Sequence, residues 1–246
     1  MKRIKATINQ GDVQKIFEAT ESRSIIHLSK VFDPEITFGF SLQLSDIKRF
    51  SEKYPGEFHY HNLKGVRRVT EPMGQRKLEE HELSRKTFTF EGMGRFFPEI
   101  AELRRWLCKL FEFSHDSASA MCGGFYSPVG EGVQRHFDDR DVFVFQVRGS
   151  KIWTVEANLR FSEIKKPFSA WFEPGFEDAI QTYGLSLDEL MREREFGPTK
   201  TVFELKAGDL LYVPCGVWHA TYASENSFSL SFGLRPRQVS SLSVSK

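Results

Sequence analysis

His136 and Asp138 stand two residues apart, and a further histidine, His219, follows eighty-three residues after the first. On an extended segment, residues i and i+2 point to the same face, so the imidazole and the carboxylate of His136-Phe137-Asp138 can approach one ion together. A second imidazole from a distant strand completes a set of two nitrogens and one carboxylate. Such a set suits ferrous iron, because three ligands on one side of the metal leave the opposite positions open to reactants. Chance could place a lone His-x-Asp in a chain with seven histidines. The frames around the two halves carry the weight.

The second frame is Gly208-Asp209-Leu210-Leu211-Tyr212-Val213-Pro214-Cys215-Gly216-Val217-Trp218-His219. Gly208-Asp209 reads as a turn, Leu210 to Val213 as a short apolar strand, and Pro214-x-Gly216 as a second tight turn that hands His219 to the next strand. The spacing Gly-x5-Pro-x-Gly-x2-His resembles the second signature of the cupin superfamily. That superfamily's pattern continues to an Asn four residues after the histidine; here the position is Ala223, and no Asn is assigned. The first frame runs from Gly132 through His136-Phe137-Asp138-Asp139-Arg140-Asp141 to Lys151-Ile152-Trp153. It resembles the core of the JmjC-type oxygenases, nearest the ribosomal oxygenases, which are protein hydroxylases dependent on iron(II) and 2-oxoglutarate. The resemblance covers about residues 87–235, including Phe125-Tyr126-Ser127-Pro128.

This resemblance implies a mainly β fold with flanking helices, a double-stranded β-helix or jelly roll of the cupin/JmjC type. It implies Fe(II) held by His136, Asp138 and His219. In that group a basic residue fifteen positions after the first metal histidine binds the distal carboxylate of 2-oxoglutarate, and the count from His136 falls on Lys151. Arg148 and Arg235 are the alternatives should the register differ. Tyr126 and Ser127, on the strand before the metal motif, are further candidates to donate hydroxyl bonds to that carboxylate. The implied reaction is hydroxylation of an amino-acid side chain in a protein or peptide, with oxoglutarate converted to succinate. A free amino acid or natural-product intermediate is the alternative, small-molecule substrate. Asp138 is an acid where halogenating relatives have Gly or Ala, which favours hydroxylation. A metal cupin that does not use oxoglutarate more often shows His-x-His followed by Glu, and a binding protein of this fold would lack a ligand or the basic residue.

These side chains need a rigid scaffold, and the composition supplies one. With 246 residues, 40% of them hydrophobic, and 24 Phe, the chain can bury a sizeable core without disulfide staples. It is expected to form one oxygenase domain over 1–246, with an N-terminal elaboration over 1–85 and a jelly-roll core over 86–236. The ribosomal oxygenases continue into dimerisation and winged-helix regions, which are not expected within these 246 residues, a departure that counts against a ribosomal substrate. The three cysteines, Cys108, Cys122 and Cys215, have no framework spacing, which together with the absence of an apolar leader points to a reducing cytoplasm. No apolar run nears the roughly 20 residues of a membrane helix, so no membrane partner is expected. A net charge of +1 does not suggest a nucleic-acid surface. A homo-oligomer is compatible with the sequence.

Periodicity predicts helices over 11–20 and 43–53 and a longer one opening at Pro98, where Ile100, Leu103, Leu107, Leu110 and Phe111 form a stripe. Phe58–His61 and Val66–Val69 read as strands, and so do Thr201–Leu205 and Phe228–Leu234. Val142–Val147 is apolar throughout, as in a strand buried on both faces. Between Trp153 and Thr201 lies an insertion, 157–199, with a helix expected near Leu187–Arg194. Its aromatic stretch from Phe168 to Phe176, with Trp171 and Phe172, is expected to border the substrate entrance rather than to build a second core; covering a sheet edge is the alternative. Asp141 is expected to make a structural hydrogen bond, and His59-Tyr60-His61, which has no matching frame, is read as a surface strand.

Overall fold

The computed structural model describes residues 8–34, 47, 49–51, 54–56, 58–62, 65–67, 85–113, 120–161, 163–169 and 176–235. In chain order, helix α1 (Gln10–Glu21) precedes strands β1 (Ile26–Leu28), β2 (Phe58–Asn62), β3 (Gly65–Arg67) and β4 (Thr87–Glu91). Helix α2 (Pro98–Leu110) leads to β5 (Ala120–Ser127), β6 (His136–Phe137), β7 (Asp141–Arg148) and β8 (Ser150–Glu156). The insertion holds β9 (Phe168–Ser169), α3 (Phe176–Tyr183) and α4 (Leu187–Arg192), and β10 (Thr201–Lys206), β11 (Leu210–Val213), β12 (Trp218–Ala223) and β13 (Ser227–Leu234) follow. The helix expected at 43–53 falls largely outside the described residues; positions 47 and 49–51 are helical.

Among the described residues the strands form two antiparallel sheets. One has the order β1-β11-β7-β13-β5-β4-β2-β3, the other β10-β8-β12-β6-β9. From β5 to β8 and again from β10 to β13 consecutive strands alternate between the sheets, as in a jelly roll, whereas β1 to β5 all lie in the larger sheet. Strand β7 shows why its sequence is apolar on both faces. Phe143 and Phe145 join one core with Ile16 of α1 and Leu103 and Leu107 of α2, while Val142 and Val144 join another with Trp153 of β8 and Leu205 of β10. The first core packs the helices on the outside of the larger sheet, and the second fills the space between the sheets. Pro98 opens α2 at its first turn, where the missing N–H costs nothing. The ring of Phe143 stacks at 5.4 Å on Phe111 and touches Tyr212, so its truncation to Ala would cost about 3–5 kcal/mol.

A third core takes up part of the insertion. Phe168, 1% exposed, packs with Phe137, Trp218, Leu185 and Leu190 on the outside of the smaller sheet, with Phe161 and Tyr183 against them. Phe168, the first residue of the aromatic stretch, thus packs into this core. The cause is Phe137: lying between His136 and Asp138, it points to the opposite face of its strand and needs cover. Trp171 and Phe172 lie outside the described residues.

Candidate metal centre

Strand β6 lies directly against β12, with His136 opposite His219, so the two rings lie on one face with centroids 4.1 Å apart. Asp138 reaches the same point: its Oδ2 is 3.6 Å from Nε2 of His219, and one ligand atom from each of the three side chains falls within 4.8 Å of the others. Both rings are oriented alike by their own chain. Nδ1 of His136 donates to the carbonyl of Gln134 at 2.7 Å, and Nδ1 of His219 to that of Val217 at 3.0 Å, so each presents Nε2 to the ion. Burial, and then the neighbouring His136, push the pKa of His219 down to about 4, against the pull of Asp138. His219 is therefore neutral and ready to ligate at physiological pH.

The turn that delivers His219 is tied back to the other ligands. Gly216 N–H donates to the Asp138 carbonyl at 2.9 Å. The buried Asp141 accepts from Cys215 N–H at 2.8 Å, from the Tyr212 hydroxyl at 3.0 Å and from Arg23 at 3.0 Å, the structural role its place in the motif suggested. Gly216 has φ +82, and a Cβ there would meet Ile164 at 2.6 Å, so only glycine both turns the chain and leaves room for the insertion.

The register places Lys151 in the same chamber. His219 pairs with Val155, Thr221 with Trp153 and Ala223 with Lys151, so Lys151 shares the face of His219 and lies four residues, about 13 Å, along β8 from its level. Between them Trp153 stacks on the His219 ring at 5.4 Å. Lys151 is only 2% exposed and forms no ion pair among the described residues, and burial pulls its pKa down to about 7. The alternatives are placed elsewhere. Arg148 ends β7 in the opposite sheet, and Arg235 is held by Asp139.

Tyr126 and Ser127 are not brought together, because adjacent strand residues face opposite ways. Tyr126 belongs to the helix-side core, whereas Ser127 is opposite Ser227 and accepts from the Thr87 hydroxyl at 2.9 Å. The sequence reading missed the row around Ser127. Ser227, Ser229 and Gln146 line the inner face of the larger sheet. Buried there without a hydrogen-bond partner are Gln146 Oε1 and Ser227 Oγ, and Trp153 Nε1 is likewise unpartnered across the chamber. The alternation Ser227-Phe228-Ser229-Leu230-Ser231-Phe232, hydroxyl inward and apolar outward, was the signal that would have found it.

A chamber with two imidazoles and a carboxylate at one end and an uncompensated buried ammonium at the other fits a divalent metal and a dicarboxylate chelating it. A family model for the JmjC domain matches residues 99–242. The ribosomal protein uL16 3-hydroxylase of Escherichia coli is 33% identical over 111 residues, 45% of this chain and 24% of that protein. The bifunctional lysine-specific demethylase and histidyl-hydroxylase NO66 of Dictyostelium discoideum is 29% identical over 135 residues, 54% of this chain and 23% of that protein. A crystal structure of the E. coli ribosomal oxygenase YcfD superposes with a TM-score of 0.59 at 19% identity, covering 95% of this chain and 53% of that one. The same protein has been seen with cobalt and 2-oxoglutarate, at a TM-score of 0.54 and 20% identity over 87% of this chain and 49% of that one. These structural likenesses show a shared fold. The chain spans about a quarter of the length of those two curated relatives.

Proposed function

The chain belongs to the JmjC domain family, and from that premise we propose that it is an iron(II)- and 2-oxoglutarate-dependent oxygenase that hydroxylates an amino-acid side chain of a protein or peptide. The observation that carries this reading is the buried, uncompensated Lys151 on the same face as His136, Asp138 and His219. A structural zinc site would need no buried cation about 13 Å along the strand.

In this reading His136, Asp138 and His219 hold Fe(II) through two Nε2 atoms and a carboxylate oxygen. Lys151 receives the far carboxylate of oxoglutarate, which supplies the missing counter-charge in a dry site. Ser127, Ser227 and Gln146 offer the polar wall along which the cosubstrate lies. Trp153, stacked on His219, excludes water from between the metal and the lysine. Bound there, iron with oxoglutarate and dioxygen supplies C–H hydroxylation coupled to oxidative decarboxylation to succinate and carbon dioxide. The protein's share is to orient the reactants and keep the site dry. A protein substrate is supported by the curated relatives, a ribosomal protein hydroxylase and a histidyl-hydroxylase.

Purified protein with iron(II), ascorbate and oxoglutarate should form succinate, and candidate peptides should gain one oxygen atom by mass spectrometry. His219→Ala should abolish both and bind iron only weakly. Full iron occupancy with normal succinate formation in that variant would overturn the metal assignment.

A further inference from the structure

The end of the chamber at which a substrate would meet the metal carries a cation that the centre itself does not use. Arg140 follows Asp138 by two residues. Its Nε donates to Asp139 Oδ1 at 2.9 Å, and Asp139 in turn holds Arg235 through its other oxygen. The Arg140 side chain crosses the inner face of β13. A Cβ on Gly233 would meet its Cδ at 2.4 Å and its Cγ at 3.1 Å. Gly233 is opposite Val142, whose side chain lies between the sheets, so the side on which Arg140 rests is the chamber side.

Its register places it at the metal end. Leu234 pairs with Asp141 and Gly233 with Val142, at the start of β7, whereas Lys151 follows the far end of that strand. Arg140, two residues after Asp138, thus lies at the metal-ligand end of β7, away from Lys151. One of its nitrogens, Nη1, is buried and finds no acceptor among the described residues. A buried guanidinium N–H without a partner costs free energy unless something arrives to accept it. Across the sheet from Gly233 stands Met121, 44% exposed at the same mouth, an apolar surface beside the unused donor.

Resting on the function proposed above, we infer that Arg140 is a specificity-determining residue of the substrate subsite. Its Nη1 takes a carbonyl or carboxylate oxygen of the substrate, and Gly233 is a glycine because Arg140 must lie across it. Two guanidinium groups share the single carboxylate of Asp139, so that carboxylate does not offset both of them, which favours an acceptor over a cationic side chain beside Arg140. Asp139 fixes the direction of the fork, so the group is preorganised.

The test uses the full chain loaded with Mn(II) and oxoglutarate, and blocked tripeptides with Asp, Asn, Glu, Gln, Lys or Leu at the centre. Binding is read as paramagnetic broadening of the peptide proton signals by the metal. Peptides with an acid or amide centre should bind in preference to those with Lys or Leu. Arg140→Gln should weaken them about tenfold or more, the loss of one charged hydrogen bond. Gly233→Ala keeps the charge but forces the Cγ and Cδ of Arg140 off β13, and should produce the same loss. In both variants Mn(II) and oxoglutarate should bind as in the parent. Equal binding of all six peptides to the parent, or unchanged peptide affinity in both variants with metal and cosubstrate bound normally, would overturn the assignment. Failure of the parent to take up Mn(II) and oxoglutarate would instead overturn the reading of the centre, and this one with it.

Discussion

Lys151 is a cation that folding buries at a cost. Its pKa falls to about 7 from an ordinary 10.5, with desolvation as the cause. Between those values the unfolded chain holds a proton that the folded chain has lost, so this group's contribution to stability rises with pH across that window. Below about pH 7 both states are protonated and the full burial penalty remains. Lys151→Met should therefore raise the melting temperature of the ligand-free protein at pH 7, and raise it less at pH 9. Oxoglutarate should stabilise the parent and leave the variant nearly unaffected, while metal uptake survives. Thermal melts at the two pH values with and without oxoglutarate check this. A variant less stable than the parent at pH 7 would show that the lysine already has a partner.

The metal strands are held from behind by the insertion. Arg135, beside His136 and 5% exposed, donates to Glu156 at 2.9 Å and to the carbonyl of Glu193 just beyond α4. Its guanidinium lies 4.1 Å from the ring of Trp218, the neighbour of His219, and 4.8 Å from that of Phe196. Glu156 also accepts from Gly197 N–H and the Thr199 hydroxyl, closing the end of the insertion onto β8. Removing one member of a buried ion pair leaves its partner uncompensated, at a cost of about 3–5 kcal/mol. Arg135→Met should lower the melting temperature and speed amide hydrogen exchange across 176–197 more than in β5, β7 and β13. Uniform exchange rates in parent and variant would mean that the insertion docks by its aromatic core alone. That core is substantial: Phe137 meets Trp218 at 4.7 Å and Tyr183 at 5.7 Å.

Across the whole molecule, the centre takes its ligands from β6, the residue after it, and β12, while Lys151 comes from β8; all three strands belong to the smaller sheet. Ligands bridging them should stabilise the fold as a unit. At a hundred times its dissociation constant a ligand adds about 2.7 kcal/mol to stability. Mn(II) with oxoglutarate should raise the melting temperature more than either alone, since the dicarboxylate spans metal and lysine. In His219→Ala the joint effect should vanish. Additive shifts in the parent, measured by calorimetry, would argue for two independent sites. No helix among the described residues is long and apolar enough to cross a membrane.

Much of this was legible in the residues alone. The two frames pointed to His136, Asp138 and His219, which the structure brings together, because strand side chains alternate with a fixed period of two. Lys151 came from the resemblance to the ribosomal oxygenases, and the register puts it on the face of His219. The same period explains the apolar run of β7, buried on both faces, and should have separated Tyr126 from Ser127. What needed the tertiary structure was whatever depends on two segments far apart in sequence. Phe168 joins a second core because Phe137, on the back of the metal strand, requires cover. Arg235 is taken by Asp139, and Arg140 lies on a glycine ninety-three residues away. Packing of that kind is set by which faces meet across a sheet, and a linear pattern records only which way each residue points, not what waits there.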